Sequence, residues 1–284
     1  MNRFNRNPRD QIHPAVMNWR RRVKNNGGNY PSPKTMTAVN RFYQNILNRG
    51  LVKKMKIVNC VVPDNLIAAG TPLIVGVGFD PWVNHNWVAA DLSINGLQGR
   101  GNSGSLSHYF DTGMKPTSAW SDDTTGGMTL YNVNPVFSTD GASTMGCQTF
   151  NGVNAFEIYF CLSDGKSYHD CWNNTSGSGR FGGITINGFV GYLSNNRTSA
   201  TNHSVYQASS TLSHRLLGSN TATGGSRPNL NVYFGSSQDV ASNAGGTTKI
   251  LSFAACHDGL TATESSMFFD CIHLMRKEIG GGWA

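Results

Sequence analysis

The sequence predicts a mainly β protein, an antiparallel β-sandwich of the jelly-roll type with helices at both ends of the chain. Only 14% of the 284 residues are charged, and glycine alone contributes 33 residues. Asn, Ser and Thr are also abundant, and together with Gly they favour turns, because Gly and Asn tolerate positive φ angles and Ser and Thr form local hydrogen bonds. Short β-rich runs separated by regular turn signals fill most of the chain, which is typical of a sandwich.

Two helices are predicted within the first 56 residues. Pro14 stands near the first position of a helix, and apolar residues recur at helical spacing from there to the stop at Gly27. A second helix is expected to begin after Ser32, which is a suitable N-cap, and to end before Gly50. This part of the chain is therefore interpreted as a two-helix segment.

The strands are predicted between residues 57 and 249. There, short runs rich in β-branched and aromatic residues are separated by Asp-Gly, Asn-Gly and Gly-Gly pairs, which mark turns. The predicted strands lie at 57–62, 72–75, 127–131, 155–162, 183–186, 188–194, 204–207 and 230–235.

The chain closes with a helix whose start is marked clearly. Thr261 and Glu264 have the spacing of a capping box, in which each side chain bonds the other residue's backbone N–H. Apolar residues then recur on one face of a predicted helix over residues 262–278. We expect this face to pack on the sandwich.

The charge of the chain is unevenly distributed. Residues 1–56 hold 13 of the 23 basic residues and only one of the 16 acidic residues, Asp10. We interpret residues 1–56 as a basic helical docking segment and residues 57–284 as the sandwich domain. A solvated surface that matches the helix dipoles is the alternative, because the cations cluster near predicted helix C-termini. The candidate docking residues are Arg20, Arg21, Arg22, Lys24, Lys53, Lys54 and Lys56.

Two clusters of aromatic and polar residues suggest sugar binding as an alternative function. Sugar sites combine aromatic rings, which stack on the sugar, with side chains that form hydrogen bonds, and such residues recur together at 82–87 and, in a predicted loop, at 168–174. The same aromatic rings could instead lie in the core of the sandwich. The candidate glycan-binding residues are Trp82, His85, Trp87, Tyr168, His169, Asp170 and Trp172.

Enzymatic activity is not expected from the sequence. Glycosidases need two nearby carboxylates, but the chain has only three glutamates, and Glu157 has no acidic neighbour on the same strand face. No phosphate-binding glycine loop and no cysteine or histidine pair with zinc-ligand spacing occurs, so no catalytic residue, metal or cofactor is predicted. A depolymerase remains the third hypothesis.

The cysteine content and the length of the apolar runs indicate which disulfide bonds and membrane-spanning helices can be expected. Six cysteines are too few for a disulfide scaffold and are expected to be reduced, with a Cys161–Cys171 bridge as the alternative in an oxidising medium. No run of 18 apolar residues occurs, so no membrane-spanning helix is expected.

Several motifs resemble those of tailed-phage structural proteins, and they occur in the same order along the chain. Residues 251–264 (LSFAACHDGLTATE) are similar to a strand that leads through a GDGLT-x-x-E signature into a closing helix, with His257 in place of the first glycine. Residues 191–199 (GYLSNNRTS) resemble an R-T-S strand and turn, and residues 96–113, which end in YFDTG, resemble an LTGNGS…YLDTG segment. Residues 64–73 (DNLIAAGTPL) are similar to a further segment near the start.

The resemblance implies a concanavalin A-like, or laminin-G-like, jelly roll carried on a phage particle. It implies no catalytic residue, and it implies a structural role for Arg197, the arginine of the R-T-S turn. The strongly basic helices and the six cysteines depart from the family pattern.

These observations lead to the expectation of a non-enzymatic virion protein on the particle surface, as a capsid decoration, a head fibre or a tail-associated protein. The basic segment would dock on other virion proteins, and homo-oligomers are expected, because symmetric assembly multiplies weak contacts. Membrane and nucleic acid are not expected as partners. The alternative is a glycan-binding module of a tail fibre that recognises a polysaccharide of the host surface.

Overall fold

A computed structural model describes residues 11–101, 108–133, 143–149, 154–160, 164–173, 181–185, 191–239, 243–244 and 246–283, and it confirms the predicted antiparallel β-sandwich. The helices are α1 (Pro14–Asn25), α2 (Pro33–Asn48), α3 (Leu66–Gly70), α4 (Pro116–Ala119) and α5 (Ala262–Ile279). The strands are β1 (Met55–Asn59), β2 (Ile74–Val75), β3 (Val83–His85), β4 (Leu92–Ser93), β5 (Gly96–Gln98), β6 (Tyr109–Asp111), β7 (Gly126–Asn132), β8 (Met145–Gln148), β9 (Ala155–Tyr159), β10 (Lys166–Asn173), β11 (Phe181–Thr185), β12 (Gly191–Ser199), β13 (Asn202–Ser209), β14 (Arg215–Asn220), β15 (Tyr233–Phe234), β16 (Ser237–Asp239), β17 (Asn243–Ala244) and β18 (Ile250–His257).

The described strands form two sheets. The first sheet has the order β14-β13-β12-β7-β18-β1-β2, with β5 also paired to β18 and β4 paired to β5. The second sheet has the order β11-β10-β9-β8-β15-β6-β3, with β16 beside β8 and β17 beside β16. Nearly all pairs are antiparallel, and the β16–β8 pair is parallel.

The first sheet is buried on both faces, because helices cover the side that faces away from the second sheet. Leu130 in β7 and Ala254 in β18 belong to the hydrophobic cluster between the two sheets. Their chain neighbours Tyr131 and Ala255 belong to a second cluster, formed with helices α1, α2 and α5. The molecule therefore has three layers, which are helices, first sheet and second sheet.

The capping signals of the sequence act as predicted at all three long helices. The Ser32 side chain accepts the Thr35 N–H at 3.2 Å, and Pro14 and Pro33 occupy the first helical positions of α1 and α2. Thr261 and Glu264 form the predicted capping box, and Gly280 ends α5 in the left-handed conformation. Both N-terminal helices bury their apolar residues in the cluster shared with α5. The domain boundary at residue 56 stays a prediction.

A buried arginine fixes the closing helix to the strands. The Arg276 guanidinium in α5 has no exposed surface, and it donates hydrogen bonds to the backbone carbonyls of Ile94, Val61 and Ser252 at 2.8, 3.2 and 3.3 Å. Burial lowers the pKa of Arg276 to about 10, so the group stays charged at neutral pH. Carbonyl oxygens thus replace the water that this guanidinium loses on folding.

The three-layer packing predicts a large effect at Phe268. Its ring lies in the helix-facing cluster, 5.7 Å from the Phe253 ring in β18 and 6.3 Å from the Phe42 ring in α2. Phe268→Ala is expected to lower the free energy of unfolding by about 3–5 kcal/mol. Leu274 lies exposed on the same helix, so Leu274→Ala should change it by only about 0.5 kcal/mol. Urea denaturation measures both, and equal losses would contradict the packing of α5.

Candidate functional site

The three tryptophans proposed for glycan binding are core residues, which corrects that prediction. Trp82 and Trp87 are each 2% exposed, and Trp172 is fully buried. The Trp82 ring packs against Phe234 with centroids 5.7 Å apart, and the Trp172 ring stacks on Phe156 at 4.6 Å. A ring enclosed on both faces by the sandwich cannot stack on a sugar.

The local reason for the error is the strand β10. Residues 168–174 are predicted as a loop, but the chain is extended from Lys166 to Asn173 and pairs with β9 and β11. Alternate residues of a strand face opposite sides, so His169 and Cys171 face the core together with the β9 residues opposite them. Trp172 also reaches the inter-sheet cluster, because it lies at a register shift with a φ of 62°.

The remaining glycan candidates are scattered over the second sheet. Half-buried His85 stacks on Tyr109 with ring centroids 4.4 Å apart, and the Tyr168 hydroxyl donates a 2.5 Å hydrogen bond to Asp164. His169 has no exposed surface and lies 3.1 Å from the Ser167 hydroxyl. The structure brings no two of these side chains together as an open sugar site among the described residues.

The strand register creates a carboxylate pair that the sequence spacing does not reveal. Glu157 in β9 lies directly opposite Asp170 in β10, and both side chains are fully buried. The Glu157 carboxylate accepts a 3.0 Å hydrogen bond from Ser237. Residues 13 positions apart become neighbours only through the antiparallel pairing, so a search along one strand misses them. Their burial leaves no described path by which a substrate could reach them.

The basic residues of α1 differ in whether their side chains form contacts within the protein. Arg22 pairs with Asp80 at 2.7 Å and donates to the Pro72 carbonyl at 2.9 Å, so it fixes α1 to the segments before and after β2. Arg21 and Lys24 are exposed, and the Arg20 guanidinium lies 4.2 Å above the half-exposed ring of Tyr30, a cation–π contact. We call Arg20, Arg21, Lys24 and Tyr30 the α1 basic face.

The second group of predicted docking lysines is largely neutralised within the chain. Lys54 pairs with Glu264 at 2.7 Å, and Lys56 pairs with Asp258 at 2.9 Å. Of the three, Lys53 is exposed, whereas Lys54 and Lys56 are half-buried. The docking role of these residues stays a prediction, and the ion pairs reduce the net charge that Lys54 and Lys56 can offer to a partner.

A surface cleft of about 430 Å³ lies beside these ion pairs. Lys54, Lys56 and Asp258 supply its charged groups, and the buried Trp120 and Gly259 complete its wall. Its hydroxyl groups come from Ser121, Thr125, Thr198 and Thr261. The sequence does not reveal this cleft, because its residues come from four separate parts of the chain.

Two of the motifs that carry the family resemblance meet at the edge of this cleft, in a contact that we call the motif joint (residues 196–197 and 259–260). Gly259 packs so closely on the backbone of Arg197 that an added Cβ would overlap the Arg197 carbonyl oxygen. The next residue, Leu260, donates its N–H to the Asn196 side chain at 2.9 Å. Position 259 requires glycine because of this close approach. The backbone φ angle is not the reason, since it lies outside the left-handed region.

Arg197 itself holds the two sheets together. Its Nε donates to the Cys171 carbonyl in β10 at 2.8 Å, and one terminal nitrogen donates to the carbonyls of Ala200 and Ala222 at 2.8 and 3.1 Å. The side chain is enclosed, and burial lowers its pKa. This geometry supports the structural role that the resemblance implies for this arginine.

The side chains of the Y-F-D-T-G motif also form structural hydrogen bonds, which hold a turn in place. The Asp111 carboxylate accepts the Gly113 N–H at 2.8 Å, and the Thr112 hydroxyl donates to the Val232 carbonyl at 2.7 Å. Gly113 has a φ of 65°, which favours glycine. The motif therefore ends β6 and fixes the chain against the segment before β15.

A buried polar network lies under the start of α5. The Thr129 hydroxyl contacts both the Ser194 hydroxyl and Nε2 of His257 at 2.8 Å, joining β7, β12 and β18. The other ring nitrogen of His257 lies 2.8 Å from the Asp258 carbonyl. Burial lowers the pKa of His257 to about 4, and burial lowers the pKa of His203 as well. The Ser194–Thr129–His257 network is enclosed and serves the packing of three strands.

The five cysteines within the described residues are buried free thiols, and burial raises the pKa of the Cys171 thiol to about 12. They are Cys60, Cys147, Cys171, Cys256 and Cys271. Cys161, the alternative disulfide partner, lies outside the described residues. Across the described ranges, no group of three potential metal ligands converges, and no helix is both long and apolar enough to cross a membrane.

Comparisons with known proteins identify neither a family nor a function for the chain. No protein-family model and no curated protein matches the chain. Among solved structures, it is similar to a GH54 α-L-arabinofuranosidase soaked with a cyclic sulfate inhibitor, with 11% identity over 60% of this chain and 41% of that chain, at a TM-score of 0.41. It is also similar to the CBM40 of a Ruminococcus gnavus IT-sialidase bound to α2,3-sialyllactose, with 15% identity over 61% of this chain and 92% of that chain, at a TM-score of 0.40. The chain thus spans less than half of the arabinofuranosidase, and likeness at this level carries no argument about activity or ligand.

The close packing at the motif joint predicts that one methyl group added at Gly259 strongly destabilises the protein. Gly259→Ala is expected to lower the free energy of unfolding by about 3 kcal/mol, because the new Cβ would press on the backbone of Arg197. Gly27→Ala is the matched control, since its Cβ would meet open space and would add only the strain of a left-handed φ, about 1 kcal/mol. Chemical denaturation measures both, and a Gly259 loss no larger than the Gly27 loss would contradict the joint.

The buried histidines predict that acid destabilises the fold. His257 is neutral in the folded protein down to about pH 4, whereas the unfolded chain binds the proton below about pH 6.5. Stability is therefore fully present above pH 6.5 and falls on acidification toward pH 4, by up to about 1.4 kcal/mol per pH unit for each such histidine.

Urea denaturation at pH 7.5 and pH 5 measures this dependence. His257→Gln should be less stable than wild type at pH 7.5 but should lose less stability between the two pH values, because one titrating group is gone. An equal loss in both proteins would show that His257 does not titrate as its burial requires.

Proposed function

We propose that this chain is a non-enzymatic structural protein of a tailed-phage particle, displayed on the particle surface as a homo-oligomer. The observation that carries the proposal is the motif joint. Two motifs of the resemblance, 191–199 and 251–264, touch each other through Gly259, Arg197, Leu260 and Asn196. Motif residues that meet in one structural contact support a shared fold better than isolated short matches do. Whether the protein belongs to the head or to the tail is an outcome of the experiments.

The α1 basic face is the surface that best suits docking on an acidic virion protein. Arg21 and Lys24 are exposed, and Tyr30 holds Arg20 in a fixed orientation, which reduces the entropy lost on binding. Weak contacts of this kind gain strength when several subunits of an oligomer bind at once. The ion-paired Lys54 and Lys56 contribute less to such a surface.

Deletion of residues 1–56 does not test this docking role cleanly. Helices α1 and α2 cover the apolar outer face of the first sheet, and their removal would expose Phe253 and Phe268 to water. A truncated chain could be lost from particles simply because it does not fold. Substitutions of exposed side chains avoid this difficulty.

Charge reversal of the α1 basic face is therefore expected to block incorporation. The triple variant Arg20→Glu, Arg21→Glu and Lys24→Glu should be at least about tenfold depleted from purified particles, because like charges would repel the acidic partner surface. The control is Lys277→Glu together with Lys115→Glu and Arg215→Glu, three charge reversals at exposed positions outside the predicted docking residues.

Quantitative mass spectrometry of particles that are complemented with each variant gives the readout. Circular dichroism checks that both variants fold. Equal incorporation of the two triple variants would rule out the α1 basic face as the docking surface, and absence of the wild-type chain from particles would overturn the proposed function itself.

A further inference from the structure

We infer that the cleft beside the motif joint binds a neutral saccharide. This site lies beyond the proposed structural role and does not depend on it. Its volume of about 430 Å³ falls in the range of small-molecule sites, which is roughly 300–1,000 Å³. Charged groups and hydroxyls dominate its lining, so a polar ligand with many hydroxyl groups fits it better than an apolar one.

Both lysines of the cleft are ion-paired with carboxylates, and this favours a neutral ligand over an anion. Lys56 pairs with Asp258 at 2.9 Å, and Lys54 pairs with Glu264 at 2.7 Å. An anion would be attracted to the lysines but repelled by the carboxylates beside them. A sugar hydroxyl can accept from an ammonium and donate to a carboxylate, so neighbouring hydroxyls of one ring can use both members of the Lys56–Asp258 pair.

Trp120 provides a second observation that points to a ligand. The residue lines the cleft, is only 4% exposed, and its indole N–H has no hydrogen-bond partner within the described residues. A buried donor without a partner costs free energy, and such groups call for a specific explanation. The nitrogen itself has almost no exposed surface, so a sugar hydroxyl would satisfy this donor only after the ring turns toward the cleft.

Two further lining groups remain available for a ligand. The side chains of Thr125 and Thr261 already bond Gly259 N–H and Glu264, so they shape the cleft. Ser121 and Thr198 are exposed on its rim, where their hydroxyls can contact a ligand without breaking a strong protein bond. They can therefore be changed without loss of the fold.

The test measures binding of the full chain to a panel of saccharides. The neutral probes are oligosaccharides of glucose, galactose, mannose and N-acetylglucosamine, and the acidic probes are sialyllactose, oligoglucuronate and inorganic phosphate. The double variant Ser121→Ala with Thr198→Val is compared with Ser210→Ala and Thr211→Val, which make the same changes on exposed residues of a separate depression. Calorimetry gives the affinities.

We expect at least one neutral oligosaccharide to bind and its affinity to fall at least tenfold in the Ser121/Thr198 variant, with no change in the control. The indole N–H signal of Trp120, assigned with Trp120→Phe in a nitrogen–proton NMR spectrum, should shift on binding. Binding that survives the Ser121/Thr198 changes, or that leaves the Trp120 signal in place, would overturn the site. Binding of the acidic probes alone would overturn the neutral class, and no binding at all would overturn the inference.

Discussion

The structure depends on the burial of both faces of the first sheet. A sheet that is apolar on two sides needs a layer on each, and the second sheet supplies only one of them. Helices α1, α2 and α5 supply the other, with Phe42, Phe253 and Phe268 in mutual contact at its centre. The basic N-terminal segment is thus part of the core on one side, and only its other side can meet a partner.

Polar groups that this packing encloses determine how the layers are joined. Arg276 fixes α5 to the strands, and Arg197 fixes the end of β12 to β10, in both cases through backbone carbonyls. Each guanidinium is a donor only, so carbonyl oxygens can replace its water without a buried counter-ion. This explains why the motif residues of the chain are structural, and why function has to be sought on the surfaces beside them.

Local signals in the sequence were sufficient for the helices and for the sandwich class. Proline at the first helical turn, Ser32 and the Thr261–Glu264 capping box act over three or four residues, so they can be recognised without the fold. Contacts between residues that are far apart in the sequence could not be predicted. The aromatic-polar run of β10 reads equally as an exposed loop or a buried strand, and Glu157 meets Asp170 only through strand register. Likewise, Lys54 finds its partner Glu264 at a sequence separation of 210, which no local pattern encodes.

We propose that this chain is a component of the surface of a phage particle. The most direct measurement is immunogold electron microscopy of phage particles purified from a culture that expresses the chain, with antibody raised against the folded protein. The account predicts regular label on intact particles, at the head for a decoration protein or at the tail for a tail-associated one. Particles without label, while the same antibody recognises the purified protein, would contradict it.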